Sequence, residues 1–201
     1  MKLFLQYSLV ALFFYSCSYQ DKEKRSSDYN NRGTDLLLSG DSSEDENKHN
    51  KLLDDAVSYF DSAIFINPTA TSFENKIKTL CRQKKYDQAL VSIQDWQKLE
   101  VTPGNTTMEG FLYEMKGNLA DANKFYLQAI KLYQLGIPHS KNPTLDKINI
   151  AFLKGFTENP EVAKKEFTRI SKENPTDKNV EFLTEAFEQF DRTEFIMQMS
   201  Q

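Results

Sequence analysis

A chain of 201 residues that is 39% apolar and 12% aromatic can fill one domain or a row of stacked units, and is too apolar to be wholly disordered. Its 25 basic and 29 acidic residues leave a formal net charge of −4. That balance argues against nucleic acid as the ligand, because phosphate binding needs a basic surface and no Lys/Arg stripe occurs. Two cysteines, Cys17 and Cys81, and two histidines, His49 and His139, stand at no metal-ligand spacing, so no metal centre, disulfide or small-molecule cofactor is expected.

The chain opens with Lys2, then Leu3-Phe4-Leu5 and the apolar run Ser8 to Tyr15, a positive start before about a dozen apolar residues. Such a run is short for a spanning helix and reads as a secretory signal peptide over residues 1–16. The end of the run, Phe14-Tyr15-Ser16-Cys17, resembles a bacterial lipobox, although the aromatic pair departs from the usual residues there. The resemblance implies cleavage before Cys17, lipid attachment at Cys17, and a membrane anchor through the N-terminal lipid. With Ser18 rather than Asp behind the cysteine, it also implies an outer-membrane location facing the periplasm. An ordinary cleaved signal is the alternative. Residues 17–28, CSYQDKEKRSSD, are polar and without apolar periodicity, and read as a flexible tether to a domain over residues 29–201.

From Tyr29 onward the pattern is that of paired helices. The first pair joins YNNRGTDLLLSGD, with Gly33 as its small contact residue, to LLDDAVSYFDSAIFINP, which Asn67-Pro68 ends. Between them the insertion 41–51 is charged; Ser43 and Glu46 are placed as a capping box that starts the second helix early. The acidic run Glu44 to Glu46 lacks the glycine and alternating ligands of a calcium loop and reads as a solvated segment. The second pair is Ser72 to Arg82 with Tyr86 to Leu99, burying Cys81 and Trp96.

The third pair lies in Met108 to Tyr133. Gly110 and Ala122 let two helices approach closely, Tyr126 fills the space beside them, Gly117 suits a left-handed stop and Asn118 a cap. The sequence Asn105-Thr106-Thr107 is read as this pair's N-terminus, with Thr106 and Glu109 as capping box. After the break Leu135 to Ser140, the fourth pair joins Leu145 to Phe156, with Ala151 as its small residue, to Pro160 to Lys172. A last helix, Asn179 to Phe190, carries Phe182, Leu183, Ala186, Phe187 and Phe190 as its apolar stripe.

Spacing ties the pairs together. Ala56, Ala89 and Ala122 lie 33 residues apart, and each precedes a large residue by four positions (Phe60, Ile93, Tyr126); Ala163 with Phe167 repeats the pair after a longer gap. This recurrence resembles tetratricopeptide (TPR) repeats, helical hairpins of about 34 residues. The resemblance implies an all-α fold, a right-handed α-solenoid of about four TPR-like hairpins with a C-terminal capping helix. The second pair departs from it, with Ile77 where glycine is expected.

No nucleophile with a base, carboxylate pair, metal cluster or phosphate loop stands out, so no catalytic residues and no enzyme are expected. Two functions fit. One is a scaffold of the bacterial envelope that binds a peptide or protein segment in a concave groove, as the TPR resemblance implies. The alternative is an immunity or inhibitor lipoprotein that neutralises one toxin. The family's carboxylate clamp is not matched beyond Lys78 or Arg82, so the groove is expected to be apolar. By helical spacing Phe111, Met115, Ile148, Phe152 and Phe156 line it as protein-binding residues, unless the last helix folds back and covers them as core.

Overall fold

The computed structural model describes the backbone of residues 2–199 and the side chains of residues 20–199. Among these the protein is all-α: ten α-helices and one short 3-10 helix, with sequential helices packed in antiparallel pairs. The chain divides into two compact units, Met1–Lys85 and Tyr86–Gln201. Cys17 and the side chains of the leader lie outside the described residues.

The first unit holds α1 (Lys2–Asp41), α2 (Glu46–Ile66) and α3 (Ala70–Arg82). Buried positions on α2, Leu53, Ala56, Phe60 and Ala63, step by three and four, and so form one stripe. On α1 the facing stripe is Ser26, Gly33, Leu37 and Gly40. Gly33 is a contact glycine, since a Cβ there would stand 2.6 Å from the Phe60 ring. The segment 20–28, expected to be a flexible tether, is helical, and Ser26 within it is buried. Its hydroxyl lies within hydrogen-bond distance of the carbonyls of Ala63 at 3.0 Å and Asn67 at 3.1 Å, tying this segment to the C-terminal end of α2. Polar composition concealed this because one small polar contact, not an apolar stripe, holds the segment. Asp45, rather than Ser43, caps α2, accepting from the amides of Asn47 at 2.9 Å and Lys48 at 3.1 Å.

The second unit holds α4 (Tyr86–Leu99), α5 (Pro103–Met115), α6 (Leu119–Gly136), the 3-10 turn Ile137–His139, α7 (Pro143–Thr157), α8 (Pro160–Glu173), α9 (Lys178–Glu188) and α10 (Arg192–Met199). The second expected pair is therefore divided, α3 in one unit and α4 in the other. Helix α5 begins a turn earlier than expected. Thr102 caps it, and Asn105 completes the box by accepting from the Thr102 amide at 2.9 Å. Thr106 and Glu109, expected as the box, are instead buried inside the helix. The turn to α6 uses Gly117 at φ +79°, and Asn118 accepts from the Asp121 amide at 3.2 Å.

The recurring alanines are all fully buried, as are Phe60, Ile93 and Tyr126, with Phe167 at 5% exposure. On α9 the expected stripe is rotated. Val180, Phe187 and Phe190 are buried, whereas Phe182 is 83% exposed and Ala186 lies outside. Five apolar residues on an 11-residue helix define two overlapping faces, and the contact with α8 and α7 selects the one through Val180 and Phe187.

Candidate protein-binding site

The five residues expected to line a groove do come together, around the first helices of the third and fourth hairpins, but not on a bare surface. Phe111 of α5 is 6% exposed, and Ile148 and Phe156 of α7 are 1% and 3% exposed; Met115 and Phe152 are half-buried. Of the two outcomes open to this face, a bare groove or a covered core, the structure shows it covered. Phe111 meets Phe156 with ring centroids 5.4 Å apart and Phe152 at 6.4 Å, joining α5 to α7 edge to face. Phe190, just past α9, reaches Phe152 at 5.2 Å and Phe156 at 5.5 Å. The close fit at this point comes from Gly155, whose absent Cβ leaves room for the Phe190 ring; a Cβ there would lie 3.1 Å from the ring's Cζ.

Helix α10 forms the outer layer. Its Phe195 sits 5.0 Å from Phe152, 5.3 Å from Phe111 and 5.7 Å from Phe156, so one ring touches all three aromatics of the face. Arg192, one turn earlier, donates from Nε to Glu114 Oε1 at 2.7 Å and from a guanidinium nitrogen to the Phe156 carbonyl at 3.1 Å. Its guanidinium also lies 5.6 Å from the Phe156 ring centre, a cation–π distance. Glu114, with its side chain 8% exposed, takes a second bond from the Tyr126 hydroxyl at 2.6 Å. A carboxylate this dry is stable only when its oxygens are matched, and Arg192 and Tyr126 supply one donor to each. Burial, then the bond to Glu114, hold the Tyr126 phenol well above its ordinary range, so it stays a donor.

Among the described residues, other ionisable groups offer no second site. Glu109 is buried, accepts from Gln97 Nε2 at 2.8 Å, and burial raises its carboxyl above the ordinary value. Cys81 is buried, and loss of solvation pushes its thiol up to about 12, a thiol that stays protonated and unreactive. Arg82, half of the approximate clamp, is paired with Asp41, and Lys78 is exposed. His49 donates from Nδ1 to the Gly40 carbonyl at 2.8 Å, and His139 is exposed. Among the described residues no cluster of His, Cys, Asp and Glu is fit to hold a metal ion, and no helix is long and apolar enough to cross a membrane.

Sequence reasoning missed α10, Glu114 and Gly155. A signal for α10 was present: Arg192, Phe195 and Ile196 stand three and four apart, one amphipathic turn. Glu114 carried no signal, because a carboxylate between Tyr113 and Met115 reads as a solvated position until its donors are located.

No protein-family model matches the chain, and no curated protein matches it either. The assignment therefore rests on geometry.

Proposed function

We propose that this chain is a protein-interaction scaffold of the bacterial envelope, a TPR-like α-solenoid anchored by a lipid at Cys17, that holds a protein segment against the first helices of its C-terminal hairpins. The observation that carries this reading is the aromatic face of Phe111, Phe152 and Phe156. It is built jointly by two successive hairpins and roofed by α10, an eight-residue helix with no fully buried residue. An apolar face with a buried acidic anchor at its edge suits an amphipathic helix better than a free carboxylate or an anion.

Ser26 packs only nine positions after Cys17, about 13 Å along a helix, so a lipid there holds the first unit close to the bilayer. Two or more acyl chains make such an anchor effectively stable. The reading is tested by purifying the full chain from detergent-solubilised membranes, measuring its intact mass beside Cys17→Ala, and identifying what is captured with it. Acyl mass on wild type only, with a captured protein lost on Phe152→Ser while the far-UV spectrum stays helical and the melt cooperative, is the expected result. A captured toxin would favour the immunity reading. A wild-type chain free of acyl mass and found in the soluble fraction removes the anchor.

A further inference from the structure

We infer that α10 is a detachable plug, and that the aromatic face beneath it accepts a partner's amphipathic helix carrying an arginine and, three residues later, an aromatic residue. This deepens the interaction reading above and rests on it.

Three observations converge. First, α10 is held by a few strong points rather than by area. Phe195 and Ile196 face the core, Met197 is 55% exposed and Met199 36% exposed, and no residue of the helix is fully buried. Second, what it covers is suited to helix recognition. Phe195 fills the space between Phe111, Phe152 and Phe156, and Arg192 reaches the dry carboxylate of Glu114 one turn away. Third, Glu114 needs a cationic donor but does not need this one. The carboxylate stays bonded to Tyr126 when α10 leaves, and a guanidinium from another helix in the same register restores the pair. The bound segment of the chain thus displays the chemistry of its own replacement: a guanidinium for Glu114 and a ring for the aromatic cluster, at helical spacing i, i+3. While α10 is docked, a partner must compete with it, and apparent affinity falls by the fraction of molecules that are open.

The experiment uses the full chain and a labelled peptide with the sequence of residues 189–199. Binding is compared for wild type and for the Arg192→Ala/Phe195→Ala variant, whose own α10 has lost both anchors. The peptide is expected to bind the variant about tenfold or more tightly than it binds wild type. A peptide carrying the Phe195→Ala change is expected to lose that binding. Because the variant gives up two contacts that also stabilise the fold, hydrogen exchange on the wild-type chain provides a separate reading. Amides of α10 are expected to exchange about a hundredfold or more faster than those of α7. A peptide that binds neither protein, or α10 amides protected like those of α7, overturns the proposal and makes α10 permanent core. Sedimentation showing two copies exchanging α10 overturns it in favour of a self-assembling chain. These outcomes separate from those of the capture experiment. A partner captured without peptide exchange discards the plug and keeps the scaffold, whereas peptide exchange without a captured partner supports the plug and discards the scaffold.

Discussion

Single atoms decide much of the second unit. A Cβ at Gly110 would stand 2.5 Å from Tyr126 Cδ1 and 3.3 Å from the Ala122 carbonyl oxygen. Tyr126 is fully buried and tied to Glu114 through its hydroxyl, so the ring cannot swing aside. Gly110→Ala is therefore expected to cost about 1–3 kcal/mol by overpacking, read from a denaturant melt. Phe111→Ala, at a site with four aromatic neighbours, is expected to cost about 3–5 kcal/mol; a change below about 1 kcal/mol would mean that the face is not core. Glu109 provides the pH signature. Burial raises its carboxyl above the ordinary glutamate value, so the folded chain binds its proton more tightly than the unfolded chain. Stability from this group is then present at low pH and falls as pH rises from about 4.5 through the raised value. Glu109→Gln, which keeps an acceptor for Gln97, is expected to flatten that fall in urea melts recorded across pH; an unchanged profile would show that Glu109 is not the group responsible.

At the scale of helices, most of the hairpin pattern was legible because it rests on local spacing. Ala56, Ala89, Ala122 and Ala163, each with a large residue four positions later, are buried because small-then-large spacing is what close helix pairing demands. The stops at Asn67-Pro68 and Gly117 and the start at Asn159-Pro160 are legible for the same reason, since caps and prolines act within one turn. What escaped depends on residues far apart in sequence. Ser26 was read as tether because its acceptors are the carbonyls of Ala63 and Asn67. Spacing alone leaves the covering of Phe111 and Phe156 open because it requires Phe195, and it does not place Phe182 because α9 alone cannot say which face meets α8. The cap at Asn118 offers a check at this scale: Asn118→Ala is expected to cost about 1 kcal/mol, measured by thermal melting, with the fold retained.

For the molecule as a whole, the core around Phe111, Tyr126 and Phe156 draws, among the described residues, on positions between Phe111 and Ile196. The second unit is thus expected to fold when produced alone as residues 86–201, with a helical far-UV spectrum and a cooperative melt. A non-cooperative melt would show that its core needs the first unit. The all-α character follows from the same arithmetic that places the alanines. Each helix offers one apolar stripe, and its sequence neighbour is the nearest surface able to cover it.

The Arg192–Glu114 pair has a meaning in time as well as in space. Its partners are 78 residues apart, whereas Tyr126 and Glu114, which share the same carboxylate, are separated by 12. Loop-closure entropy for the longer separation is greater by roughly 1.5–2 kcal/mol, so the hairpin closes first and the arginine arrives last. During synthesis the residues of the aromatic face precede the segment that covers it, so the face is expected to form first. On the plug proposal, a partner helix present at that moment would meet no competitor, and the order of arrival as well as affinity would set which helix is seated there.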